Sequence, residues 1–411
     1  MAHSILFNPL ELPNGVIIKN RLFKSAISET LATASGSPNP RFMTLYETWA
    51  KGGAGIVMTG NVMIDRRALG EPGNVAIEDE RDMNLLMRWA KAGTQNGTHL
   101  WMQLNHPGKQ SPKNLSREPV APSEIPLSGG VGNYFNPPRA LTAVEIRDLI
   151  NRFGNAARIA KKAGFTGVQI HGAHGYLINQ FLSPHHNQRT DEWGGSLANR
   201  MKFLLEVYYE IRKQVGGHYP VGLKLNSADF QRGGFTEEES MVVLKQMAEA
   251  GVDLIEISGG NYENPKMMGN NVKRSTKERE AYFLEYAQKA RKLVSTPLVV
   301  TGGFRSEAGM TEAISGGDVD MVGMAKPFAL VPDLPNRIYE GRYETVKISP
   351  IQTGVGWVDK QLSSLLELGW YEYQLARISR AKPPVPGYNV WLSILRSFYK
   401  NGRGAFGKRR A

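Results

Sequence analysis

The sequence predicts an α/β protein: a (β/α)8 TIM barrel with an N-terminal β-hairpin and a C-terminal helical extension. Three observations lead there. Short apolar runs alternate with longer amphipathic stretches, and eight strand-like runs can be counted, which implies a parallel sheet closed on itself. No G-x-G-x-x-G lies between the first strand and the first helix, so a doubly wound sheet is the runner-up. Gly60, Gln103, His171, His174, Tyr176, Lys224 and Gly302 all fall at or just past the ends of predicted strands, where barrels carry their reactive groups.

Taken in order, Leu6 to Ile18 places Pro13-Asn14-Gly15 between apolar stretches, a hairpin signal. Arg21 to Ser25 is a first strand and Arg41 to Lys51 a helix. Gly55 to Asn61 is a buried strand, Asp79 to Gly93 a helix, and Thr98 to Leu104 the next strand. Asn105 to Ala140 is rich in Pro and Gly and too long for an ordinary connection, so it reads as a functional loop or lid. Thr142, with Glu145 three residues on, opens a helix that runs to about Lys162. Gly167 to Ile170 is the central strand, followed by a helix-like stretch and the long amphipathic helix Ser196 to Val215. Pro220 to Asn226 carries Lys224 near its end, and Thr236 with Glu239 caps a helix over 237–250. Val252 to Ser258 is a strand, Gly259 to Lys277 a polar loop, and Glu278 to Leu293 a helix. Pro297 to Thr301, the helix Ser306 to Ser315 and the strand Val319 to Gly323 complete the barrel. Residues 1–340 form this unit and 341–411 the extension.

The composition, 41% hydrophobic and 21% charged, is that of an ordinary soluble protein. The chain has no Cys, which excludes disulfides, thiolate metal sites and a Cys-ligated iron–sulfur cluster. No apolar run is long enough to span a bilayer, and the N-terminus lacks a signal-peptide pattern, so the cytoplasm is the expected location. Of the net charge of +12, residues 381–411 carry +7 with no Asp or Glu. The rest of the chain is nearly balanced, so the high pI is no argument for nucleic-acid binding.

The stretch from Gly164 to Arg200 organises the chemistry. His171, His174 and Tyr176 stand among Gly172, Ala173 and Gly175 just past a strand. Two histidines three residues apart would share a side if the backbone turned helically there. A zinc site or two satisfied surface histidines are the competing readings. Zinc falls behind because there is no Cys and no H-E-x-x-H spacing, and no metal is expected. Gly302 and Gly303 follow the seventh strand, and Ala325-Lys326 follow the eighth. Glycine-rich turns at those positions of a barrel favour a phosphate-bearing ligand, with Lys326 as countercharge; glycines that merely allow tight turns are the competing reading.

The run from His171 to Arg200, HGAHGYLINQFLSPHHNQRTDEWGGSLANR, resembles the signature of the Old Yellow Enzyme family, the FMN-dependent ene-reductases. The resemblance extends over about residues 5–335, through Gln103-Leu104-Asn105-His106-Pro107-Gly108-Lys109 and the ending Asp320 to Pro327. It implies an FMN-binding barrel that reduces the C=C bond of α,β-unsaturated carbonyl or nitro compounds with NAD(P)H. Under that resemblance hydride comes from flavin N5, His171 and His174 bind the substrate's carbonyl or nitro oxygen, and Tyr176 supplies the proton. Gln103 and Gly60 match positions facing the flavin ring, with Ser25 and Ser28 on the first-strand motif. Lys224 matches the cation beside flavin N1 and O2. Gly302, Gly303, Ala325 and Lys326 match the phosphate cradle. The departures are Ser25-Ala26-Ile27-Ser28 in the first-strand motif and Lys for Arg at 224 and 326, which keeps charge but loses the bidentate fork. Alternatives are a demethylase or amine-dehydrogenase relative and a non-catalytic flavin-binding protein.

In the extension, Gln361 to Arg380 reads as a helix. Trp391, Ile394, Leu395 and Phe398 follow at helical spacing, then a basic end. The expected role is docking on the barrel or on a neighbouring subunit; attachment to an anionic membrane surface is the less favoured reading. A small electron-poor alkene is the expected partner, and the expected state is monomer or homo-oligomer.

Overall fold

The computed structural model describes residues 4–261, 263, 280 and 282–395. Eight parallel strands close on themselves. They are β1 (Leu22–Lys24), β2 (Ile56–Met63), β3 (His99–Asn105), β4 (Gly167–Gly172), β5 (Val221–Asn226), β6 (Leu254–Ser258), β7 (Leu298–Thr301) and β8 (Met321–Met324). Each pairs with the next, and β8 pairs with β1 through Val322↔Leu22 and Met324↔Lys24. This is the (β/α)8 barrel that the alternation predicts.

The outer ring comprises α1 (Pro40–Lys51), α2 (Met83–Gly93), α3 (Ala143–Ala163), α4 (Leu177–Leu182), α5 (Leu197–Val215), α6 (Glu237–Glu249), α7 (Leu284–Arg291) and α8 (Glu307–Ser315). After β8 come α9 (Lys326–Leu330), α10 (Leu334–Tyr339) and α11 (Gly356–Ile378). Local chemistry sets their ends. Thr142 and Glu145 form a reciprocal capping box on α3, and Thr236 and Glu239 another on α6. Gly164 ends α3 in the left-handed region at φ 93°. The buried face of α3, with Ile146, Leu149, Ile150 and Phe153, follows the helical period.

The N-terminal hairpin pairs Leu10–Glu11 with Ile17–Ile18, turning at Gly15 with φ 82°. Its Leu10, Leu12 and Ile18 plug the barrel base by packing on Phe23, Trp101 and Leu254. Gly167 and Gly222 make room for the Trp101 indole, since a Cβ at either would lie within 2.6 and 2.9 Å of its ring. Above this apolar layer the inward positions, two residues further along each strand, turn polar. They include Gln103, Gln169, Lys224, Glu256 and Thr301.

Several boundaries differ from expectation, among them α2, which starts at Met83 rather than Asp79. β1 is shorter than Arg21 to Ser25, and β4 runs on to Gly172, so His171 stands on the strand itself. β2 continues past Gly60 to Met63, with a register shift between Met58 and Asn61. α11 starts at Gly356 rather than Gln361, because Asp359 accepts from Thr353 N–H at 2.7 Å and Gly354 N–H at 3.1 Å and so ties down the preceding turn. Glu278, the expected start of a helix, and most of the polar loop from 259 lie outside the described residues, as does the basic end from 396. Residues 390–395 are helical, with Trp391 and Leu395 exposed.

The extension packs into the main core through Trp370, Tyr371 and Leu375. Thr30 Oγ1 donates to Glu372 at 2.9 Å and Arg41 Nε to Ser379 Oγ at 3.1 Å. Among the described residues no helix is long and apolar enough to cross a membrane. Leu375→Ala, at a site with 0% exposure, is expected to cost about 2–4 kcal/mol in a urea titration followed by circular dichroism. An unmoved main transition would mean that α11 is no part of the barrel's cooperative core.

Candidate active site at the strand ends

His171 ends the polar side of β4. His174 and Gly175 then take left-handed conformations, φ 62° and 75°, and Tyr176 precedes α4. The histidines therefore do not share a helical turn. Two left-handed residues in succession fold the chain back instead, and the rings still meet. The His171 centroid lies 5.1 Å from His174 and 4.8 Å from Tyr176, both edge-on. A non-glycine residue in this region is strained by about 1–3 kcal/mol. Three contacts hold His174 there. Its N–H donates to Asn226 Oδ1 at 3.2 Å, its carbonyl accepts from Gln110 Nε2 at 3.0 Å, and its Nε2 meets Ser258 Oγ at 2.8 Å. Gly175 is required, because a Cβ would stand 2.6 Å from Gln110 Oε1.

Burial, and next the Lys224 cation, push both histidines well below the ordinary imidazole range. They are neutral at pH 7. The Ala173 N–H donates to His171 Nδ1 at 3.3 Å, which places the His171 proton on Nε2 as a donor. Asn61 Nδ2 donates to the Tyr176 phenol oxygen at 3.2 Å, and Asn61 Oδ1 accepts from Asn105 at 3.3 Å.

Beneath the rings a hydrogen-bonded chain crosses the lumen. Gln103 Nε2 donates to Gln169 Oε1 at 2.7 Å, and Gln169 Nε2 to Glu256 Oε2 at 2.9 Å. Thr301 Oγ1 donates to Glu256 Oε1 at 2.7 Å, and Lys224 Nζ lies 3.1 Å from the same oxygen. Thr301 spends its single proton on Glu256, so Ser25 Oγ, 2.8 Å away, is the donor of that pair. Gly323 leaves space for it, since a Cβ would come within 2.0 Å of Thr301 Oγ1.

Just past β7, Gly302 and Gly303 have φ of 124° and 98°. The next amides, Arg305 and Ser306 N–H, donate to the Glu280 carboxylate at 2.9 and 3.1 Å. Ala325 precedes α9 and Lys326 opens it, its Nζ 2.5 Å from Glu367 of α11. Backbone donors and a cation that already hold anionic oxygens are a donor set suited to phosphate. The floor, with amides, hydroxyls and a cation paired to the Glu256 carboxylate, suits a heteroaromatic ring with carbonyl and imine edges. The residues present thus fit FMN.

The structure brings His171, His174 and Tyr176 together, and gathers Ser25, Gln103 and Lys224 into the layer below. Two expected positions are engaged otherwise. Gly60 N–H donates to Glu29 at 2.8 Å, and a Cβ would strike that carboxylate, so Glu29 explains the glycine. Ser28 Oγ donates to Glu71, outside the floor network. Glu256, Gln169, Asn61 and Ser258 escaped the sequence reading. Their signal is a lone polar residue in an apolar strand, as in Leu254-Ile255-Glu256-Ile257-Ser258, which is also how a strand with one wet face reads.

The 105–140 loop is tied to the segments that follow β4 and β6. Lys109 Nζ meets His186 Nδ1 and the Ile125 carbonyl, each at 2.9 Å. Ser128 N–H donates to Glu263 at 2.8 Å.

Residues 5–345 match the family model described as NADH:flavin oxidoreductase / NADH oxidase. A relative from Hypocrea jecorina, NADH-dependent flavin oxidoreductase iliE, is 39% identical over 80% of this chain and 88% of its own. NADH-dependent flavin oxidoreductase iccE of Talaromyces variabilis is 34% identical over 92% of this chain and 99% of its own. Among solved structures, an old yellow enzyme homologue from Zymomonas mobilis superposes with a TM-score of 0.71 at 26% identity, covering 84% of this chain and 94% of that one.

The neutral histidine pair has a measurable consequence. Ring 15N shifts of His171 and His174 are expected to stay those of neutral imidazole from pH 7.5 to 5.5, where an unperturbed histidine is about 90% protonated. The unfolded chain takes up those protons and the native chain does not, so each histidine removes about 1.4 kcal/mol per pH unit as pH falls below about 6.5. Ordinary titration of both rings near pH 6.5 would contradict the buried, neutral assignment.

Proposed function

Because the chain belongs to the NADH:flavin oxidoreductase / NADH oxidase family, we propose that it is an FMN-dependent ene-reductase for α,β-unsaturated carbonyl or nitro compounds. The observation that carries this reading is the neutral His171 donor packed 4.8 Å from the Tyr176 ring at one strand end. Bound FMN would supply hydride chemistry, recharged by NADH, the donor in the relatives' names.

In this reading Gln103, Lys224 and Ser25 hold the ring, while Gly302, Gly303, Ala325 and Lys326 hold the phosphate. His171 Nε2–H binds the substrate's carbonyl or nitro oxygen and stabilises the negative charge that grows there during reduction. A neutral donor serves best, since its proton stays on the imidazole. When Ser258 donates to His174 Nε2, the His174 proton sits on Nδ1, a second donor for the same oxygen. The Tyr176 phenol, protonated at neutral pH, delivers a proton to the α-carbon. The Asn61 donor at the phenol oxygen stabilises the phenolate that remains. A pair of neutral donors suits an oxyanion better than an amine, which favours this reading over the amine-dehydrogenase type.

The test is an anaerobic titration followed by visible spectra. A flavin band is expected to bleach with NADH and return on adding cyclohexenone. Tyr176→Phe is expected to keep the NADH step and to slow reoxidation by poorly activated enones about 10²–10⁴-fold. A band that bleaches but ignores enones would sink the ene-reductase reading, and an unchanged Tyr176→Phe would remove the phenol from the proton step.

A further inference from the structure

The match to the family ends at residue 345, and α11 starts at Gly356. The extension nevertheless sends a carboxylate into the phosphate-binding end of the barrel. Lys326 Nζ and Glu367 Oε1 are 2.5 Å apart, with side chains 25% and 15% exposed. Lys326 is the cation that the loops after β7 and β8 offer to a phosphate. The carboxylate does not arrive by chance. Trp370 and Tyr371, three and four residues on, sit at 3% and 3% exposure in the main core. Trp370 Nε1 donates to the Tyr388 carbonyl at 3.0 Å, and Glu372 is bound to Thr30. Glu367 therefore stands one helical turn before a fixed anchor, and the Lys326 ammonium also lies 5.8 Å over the Tyr371 ring.

From this geometry we infer that Glu367 is a specificity-determining residue of the cofactor site: it competes with the flavin's phosphate for Lys326. The inference rests on the FMN reading above. A phosphate dianion that takes the Lys326 ammonium leaves Glu367 without that partner and beside a like charge, so the carboxylate weakens phosphate binding. A flavin without phosphate has no use for Lys326 and is indifferent to Glu367. The extension thereby makes the phosphorylated cofactor more readily exchanged than the barrel alone would.

The experiment is titration of the full chain, stripped of flavin, with FMN and with riboflavin, read by flavin fluorescence, for the native protein and for Glu367→Gln. A partly exposed ion pair contributes about 1 kcal/mol, or about fivefold in affinity. FMN is expected to bind Glu367→Gln about fivefold more tightly, with riboflavin affinity unchanged and the FMN gain shrinking as salt is raised. Glu367→Ala, with native-like circular dichroism, is expected to move FMN the same way. FMN affinity that is unchanged or weaker, or an equal change for both flavins, would overturn the competition while leaving the FMN reading intact. Failure of the native protein to bind either flavin would overturn both.

Discussion

The barrel is organised around one buried carboxylate. Glu256 is fully buried on β6 and engages Lys224, Gln169 and Thr301, which come from three other strands. A charge in that position is tolerable only while its partners are in place, and removing one side of a buried pair costs about 3–5 kcal/mol. The Gln169 contact passes over β5, so it joins two strands that are not neighbours in the sheet. The apolar plug of Trp101 and the hairpin below, and the histidines above, are arranged on either side of this polar layer.

The same layer sets the electrostatics of His171 and His174. Lys224 is the charge nearest the histidines in effect, and together with burial it holds them neutral. The floor therefore does two things. It presents a cation upward, and through that cation it keeps His171 and His174 as neutral donors. A positive imidazolium there would face Lys224 with little solvent to screen it.

Much of this was legible in the chain. Apolar runs of strand length alternating with capped helices imply a barrel, since helices on a parallel sheet leave few other closures. The cluster of His171, His174 and Tyr176 is conspicuous because three proton-handling rings among glycines make no core. Other features were hidden for physical reasons. Glu256 looks like the wet side of a strand until closure turns that side inward. The left-handed His174 has no local marker, because its conformation is imposed by Asn226, Gln110 and Ser258 from elsewhere in the chain. The charge of Lys326 was readable, but its partner lies 41 residues further on, in a segment with no motif to connect the two.

Four lysines of the barrel face carboxylates, and depth decides what that pairing permits. Lys24 is countered by Glu29 and Glu256, Lys109 by Glu263, Lys224 by Glu256 and Lys326 by Glu367. Burial lowers Lys24 to about 7 and Lys109 to about 8, against the pull of those carboxylates. At 4% and 0% exposure Lys224 and Glu256 cannot trade partners without leaving a bare charge in the lumen. Lys326 and Glu367, at 25% and 15%, can, because water solvates whichever group is released. The floor charge is therefore fixed and the rim charge exchangeable. That division suits a ligand whose ring must sit in one register while its anionic tail enters and leaves from the mouth.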